Sequence, residues 1–173
     1  MEQAVSLHHQ LTSSAEEQRT RAWLLDFGQD CQAVIALHEM SQVQLSIQLF
    51  EIPKTPPYCR QTLIFENSLL PVIDMGLLLN GISTELDSEI VGICVYQEKP
   101  RQALKYAGIH LKETPVVITV SDQQTCSLPE TQPIWQFFAP SCILHEERKI
   151  PIIDPAALFS AETREQIQAL NAT

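Results

Sequence analysis

An eleven-residue pattern that occurs twice constrains this chain more than anything else in it. Residues 69–79 read Leu-Leu-Pro-Val-Ile-Asp-Met-Gly-Leu-Leu-Leu, and residues 149–159 read Lys-Ile-Pro-Ile-Ile-Asp-Pro-Ala-Ala-Leu-Phe. Each copy has an apolar approach, a proline, a short β-branched run and an aspartate, then a short helical stretch. The match extends upstream without a gap: Tyr58 aligns with Phe138, Leu63 with Ile143, Ile64 with Leu144 and Glu66 with Glu146. Two copies of one strand-turn-strand-cap unit predict a duplicated architecture.

The units themselves are legible from local chemistry. In the first, residues 61–65 form a strand, residues 66–68 a turn and residues 69–73 the return strand; Asn67 tolerates the left-handed conformation such a turn needs. Asp74 then stands at a helix N-cap position, and Gly81 ends the helix. In the second, Asp154 is followed by Pro155, and a cap followed by proline at the first helical position is a start signal.

The remaining chain is read as short strands. Residues 22–27 form a buried strand, residues 28–30 a turn, and residues 31–37 the return strand of a hairpin. Residues 39–45 fit a helical turn or a strand equally. Residues 47–50 read as a further strand, and Pro53, Pro56 and Pro57 enforce an extended connection. Residues 90–96 and 107–111 repeat the first hairpin, residues 115–120 form an apolar strand, and Ser160 caps a C-terminal helix over residues 160–170. Many short strands with turns between them predict a mainly β fold of two small β-barrels with a few short helices.

The chain has 173 residues, enough to bury a sizeable core. No apolar run is long enough to span a bilayer, and the first residues lack a signal peptide's basic and apolar regions, so a cytoplasmic location is expected. A net charge of −10 repels phosphate backbones and anionic headgroups, which argues against nucleic-acid or membrane binding. Cys31, Cys59, Cys94, Cys126 and Cys142 are spread singly, without a C-x-x-C pair, and are expected to be reduced structural thiols. His8 and His9 lack a third ligand at useful spacing and fit a solvated tail. No metal or cofactor is expected.

At this point the residues resemble the CheW-like domain family of bacterial chemotaxis. That family's pattern is a proline-rich approach ending in tyrosine, an Asn-Leu-Arg-Gly turn, then a Pro-Val-Ile-Asp-Leu strand and cap. Here the chain reads Pro56-Pro57-Tyr58-Cys59-Arg60, Ile64-Phe65-Glu66-Asn67 and Pro71-Val72-Ile73-Asp74-Met75, with Ala107-Gly108-Ile109 and Pro151-Ile152-Ile153-Asp154 in the second half. The resemblance implies two interlocked five-stranded β-barrels with a groove between them, and no catalysis. It divides the chain into a polar N-terminal arm (1–20), a CheW-like domain (21–160, with subdomains of about 21–85 and 86–160) and a C-terminal helix or tail (161–173). It also implies an adaptor: one barrel meets the regulatory domain of a CheA-type histidine kinase, and the groove takes the cytoplasmic tip of a chemoreceptor.

The departures from the family pattern bear on partners. The family's arginine position carries Glu66, and its expected glutamate partner aligns with Gln42, so a cation–carboxylate pair has become a carboxylate and an amide. Both members changed, which avoids an unpaired basic group. Asn67 replaces the turn glycine. A changed partner preference follows, with arrays controlling type IV pili and twitching motility as the setting. Gln42, Val43, Glu66, Asn67 and Leu69 are expected near the partner surface, while Asp74 and Asp154 are structural caps. Two rivals remain: a scaffold that kept the barrels and lost kinase coupling, and a bilobal aspartic hydrolase. The second requires a hydroxyl residue after each aspartate, where this chain has Met75 and Pro155. His110 and His145 lack a serine in a glycine elbow, and the five glycines form no phosphate loop.

Overall fold

A computed structural model describes residues 18–83 and 89–172 of the chain. The first half contains β1 (Arg19–Asp26), β2 (Gln32–Ala36), β3 (Met40–Leu45), β4 (Phe50–Glu51), β5 (Gln61–Phe65), β6 (Ser68–Ile73) and helix α1 (Met75–Asn80). The second contains β7 (Ile90–Tyr96), β8 (Lys105–Leu111), β9 (Val116–Ser121), β10 (Thr125–Cys126), β11 (Ser141–His145), β12 (Arg148–Ile152), α2 (Pro155–Leu158) and α3 (Ala161–Asn171). His8 and His9, and most of the polar arm, lie outside the described residues.

The strands form two sheets of six, ordered β10-β11-β12-β2-β1-β9 and β4-β5-β6-β8-β7-β3. Exchanging each strand of one half for its counterpart in the other turns the first order into the second, so the duplication is structural. In each sheet five strands have five residues or more, and the sixth, β4 or β10, has two. The end strands of each row are consecutive in the chain, joined by residues 46–49 or 122–124. A flat six-stranded row is about 24 Å wide, whereas those connections reach at most about 17 and 14 Å. Each sheet must therefore curl until its ends meet, which makes it barrel-like.

The barrels interlock because each borrows a hairpin. The β1–β2 hairpin completes the sheet built mostly from residues 116–152, through a parallel pairing of Ile152 with Val34. The β7–β8 hairpin completes the other, through Val72 with Gly108 and Ile73 with Ile109. Three apolar clusters follow. Leu63, Leu70, Val72, Val91 and Ile93 fill one barrel, and Ala22, Val34, Val120, Ile143 and Ile150 fill the other. The largest, with Leu25, Ile35, Ile109, Leu111, Trp135 and Ile153, joins them.

The repeated unit recurs in its turn geometry and its backbone tie. Each β-hairpin turns through two residues in the left-handed region, Glu66 (φ 46) with Asn67 (φ 65) and Glu146 (φ 47) with Glu147 (φ 63). Two left-handed residues twist the chain in the sense that the flanking strands require. The next amide is tied back alike, Asp74 N to Tyr58 O at 2.8 Å and Asp154 N to Phe138 O at 2.9 Å.

Local details refine or correct the expectation in four places. Residues 37–39 form a 3-10 turn and residues 40–45 a strand, which resolves the helix-or-strand ambiguity. Of the strand expected over residues 47–50, only Phe50 is in one: Ser46 adopts φ 54, where the β3 ladder has ended. Ile47 and Leu49 then pack against a barrel core, and pairing resumes at Phe50. Ser68 is the first residue of β6 rather than part of the turn, and β1 starts at Arg19 because it pairs with Ser121 of β9.

Candidate docking surface

Alternation along β5 sends Leu63 and Phe65 inward and Ile64 outward. On β6 it sends Leu70 and Val72 inward and Leu69 outward. Ile64 and Leu69 are direct cross-strand partners, 58 % and 66 % exposed. Pro71 and Thr62 are the next pair on the same face, and Phe50 lies opposite Thr62 on β4. Phe50, Ile64, Leu69 and Pro71 thus form a solvent-facing apolar strip. It ends at the exposed turn of Glu66 and Asn67. A folded chain gains nothing by displaying such a strip to water, so it marks a surface fit for a protein partner.

The second hairpin supplies an internal control. Its counterpart pair is Leu144 with Lys149, and its turn is Glu146-Glu147. The backbone is shared, but one tip is apolar and the other mixed and charged, with Lys149 Nζ donating to Ser127 Oγ at 2.9 Å. Duplicated folds with unlike tips present two different faces to partners.

The other expected surface residues lie on β3, the last strand of the same row, which the curl of the sheet brings round toward β4. Gln42 is exposed, directly after a register shift between Met40 and Gln42 that re-aims the strand. Val43 is half-buried and packs against the central core. The structure therefore gathers Glu66, Asn67 and Leu69 on one hairpin and holds Gln42 and Val43 on another strand. No hydrogen bond or ion pair joins Gln42 to Glu66 among the described residues. Ile64 and Phe50 complete the strip and were not expected from sequence, although the inward alternation of Leu63 and Phe65 carries the signal for Ile64.

Where the two halves meet, a cavity of about 200 Å³ is lined by Tyr58, Leu78, Tyr96, Phe159 and Arg164 among others. Tyr96 and Phe159 stack at 5.5 Å. Burial pushes the Tyr58 phenol up, and the nearby Arg164 charge partly offsets this. The lining is mostly aromatic and aliphatic, with Thr55, Cys59, Ser160 and one cation, Arg164, which suits an apolar segment.

Both aspartates are occupied at helix starts. Asp74 Oδ1 accepts from Leu77 N at 3.1 Å, and its Oδ2 accepts from Ser83 Oγ at 2.9 Å. Asp154 Oδ1 accepts from Ala156 N at 2.9 Å and Ala157 N at 3.4 Å. His110 is fully buried within β8, and His145 ends β11. No group of three metal-ligating side chains occurs among the described residues, and none of their helices is long and apolar enough to cross a membrane.

Twin barrels exchanging a hairpin, with an apolar tip on one and an aromatic cleft between them, define a protein-interaction module. The CheW-like domain family matches residues 23–163, and the chain belongs to that family. No match to a curated protein was found. Among solved structures, the scaffolding protein TtCheW from Thermoanaerobacter tengcongensis is similar in fold. It has a TM-score of 0.65 and 17 % identity, covering 93 % of this chain and 96 % of that one.

Proposed function

We propose that this protein is a non-enzymatic cytoplasmic adaptor that couples a chemoreceptor to a CheA-type histidine kinase, in chemotaxis or in control of twitching motility. The kinase's regulatory domain docks on the β5–β6 tip, and the receptor's cytoplasmic tip enters the cleft beside Tyr96 and Phe159. The carrying observation is the exposed Ile64–Leu69 pair, which the equivalent hairpin of the other barrel lacks. Glu66 stands beside it where the family has an arginine, so the kinase partner offers an apolar patch rimmed by basic rather than acidic groups. Gln42, Val43 and Asn67 lie at the margin of that contact.

Titration calorimetry against the regulatory domain of each CheA-type kinase from the same genome tests this. One kinase is expected to bind saturably. Leu69→Asp should weaken it by about tenfold or more, since buried interface anchors contribute at least about 1.4 kcal/mol. Gln42→Glu with Glu66→Arg should alter the affinity as well. Absence of binding from a folded protein refutes kinase coupling. It would favour a scaffold with another partner, a reading that the charge reversal at Glu66 already supports.

A further inference from the structure

The five cysteines are not equivalent. Cys126 on β10 and Cys142 on β11 are direct cross-strand partners, and their sulfurs lie 3.3 Å apart. Directly opposed antiparallel residues have Cα atoms about 4.5–5.5 Å apart, inside the roughly 4.4–6.8 Å that a disulfide uses. Their register thus places them within the Cα spacing that a disulfide spans. Cys126 is half-buried whereas Cys142 is fully buried, so an oxidant from solvent meets Cys126 first. The pair sits at the seam of its barrel. β10 is a two-residue edge strand, reached from β9 through the 3-10 turn Asp122–Gln124 and held to Leu144 O by the Gln124 amide at 3.2 Å. Nothing in the adaptor role uses these thiols.

We propose that Cys126 and Cys142 form a peroxide-responsive thiol pair that closes to a disulfide and locks the seam between β10 and β11. The Cys126 thiolate attacks hydrogen peroxide; an S–O bond forms, the O–O bond breaks, and hydroxide leaves as water after taking a proton. The resulting Cys126 sulfenic acid is attacked by the Cys142 sulfur, the S–O bond breaks, and the departing hydroxide takes the Cys142 proton as a second water. Two thiols lose two electrons and one peroxide gains them. Burial and the neighbouring thiol push the Cys142 thiol up, with Lys149 pulling against them, in line with its complete burial behind Cys126. That keeps Cys142 as the resolving partner. Cys94, also pushed up to about 12 by complete burial, has no thiol neighbour within bonding reach and stays inert.

The test uses the full, reduced chain exposed to millimolar hydrogen peroxide, then alkylated and mapped without reduction. The expected result is loss of two of the five free thiols, a mass decrease of about 2 Da, and a Cys126–Cys142 cross-linked peptide that dithiothreitol reverses. Cys126→Ser should abolish the cross-link and leave Cys142 unoxidised. Five intact thiols overturn the proposal. So does oxidation of Cys126 to sulfinic acid without a cross-link, or a disulfide joining any other pair. Mapping the unsubstituted protein needs no variant to fold.

Discussion

Gly108 offers the sharpest test of how the barrels interlock. It lies on β8 where the borrowed hairpin meets β6, paired with Val72. A Cβ there would come within 2.8 Å of Val91 Cγ1 and 3.0 Å of Val72 Cγ2. Both valines are buried, at 0 % and 1 % exposure, and β-branched side chains are stiff at χ1, so neither can swing aside. Replacing glycine with alanine in a strand recovers about 0.5–1 kcal/mol of backbone entropy. Overpacking a rigid site costs about 1–3 kcal/mol. Gly108→Ala should therefore destabilise by a net of about 1 kcal/mol, and by no more than about 2.5 kcal/mol, read as a lower urea midpoint at unchanged m-value. Gly92 is the control. A Cβ there meets the Met40 terminal methyl at 2.9 Å, the end of a flexible chain that moves cheaply, so Gly92→Ala should stay within about 1 kcal/mol of the parent. The other barrel explains the choice of glycine. By register, Val34 occupies the place of Gly108, and Ala22 the place of Val91. One barrel sets a large residue on the second strand of the hairpin and a small one on the first; its twin reverses them. Val91→Ala in the Gly108→Ala background should recover most of the loss specific to Gly108. A Gly108→Ala protein as stable as the parent, or a Gly92→Ala protein worse than Gly108→Ala, would refute this account of the packing.

Two further outcomes are expected. Asp154→Ala should lower stability by about 1 kcal/mol as a lost cap. Asp74→Ala should cost more, about 1–3 kcal/mol, because Asp74 is 5 % exposed and also receives the Ser83 hydroxyl; equal denaturation midpoints would contradict the difference. Burial raises the Glu39 carboxyl above its ordinary 4.5, against the opposing bond from Ala36 N. The folded state thus holds that proton more tightly than the unfolded one. Glu39 then makes stability fall as pH rises from 4.5 through the raised value, and Glu39→Gln should flatten that part of the pH–stability curve.

The repeated unit is legible in sequence because its determinants are local. A two-residue turn, a proline, an aspartate cap and the alternation of Leu63, Ile64 and Phe65 act within a few residues of one another. The strand misplaced over residues 47–50 shows the limit of such signals: Ile47 and Leu49 are apolar in either case, and only the left-handed Ser46 decides that they pack rather than pair. Val43 is half-buried on β3, a degree of burial that no pattern of neighbouring residues fixes. Leu69 is singled out by its place beside the turn, and only the pairing of β5 with β6 sets Ile64 opposite it as one face.

By itself the sequence determined the duplication, the hairpin turns, the helix starts and the acidic surface, all properties of neighbouring residues or of their sum. Only the tertiary structure decided which hairpin completes which barrel. Val34 pairs with Ile152, and Gly108 with Val72, through backbone bonds that any strand can offer. That choice rests on the fit of distant side chains, such as Gly108 beneath Val91, which no local pattern encodes. The same holds for Cys126 and Cys142: the sequence spaces them sixteen residues apart, and the register of β10 on β11 brings their sulfurs together.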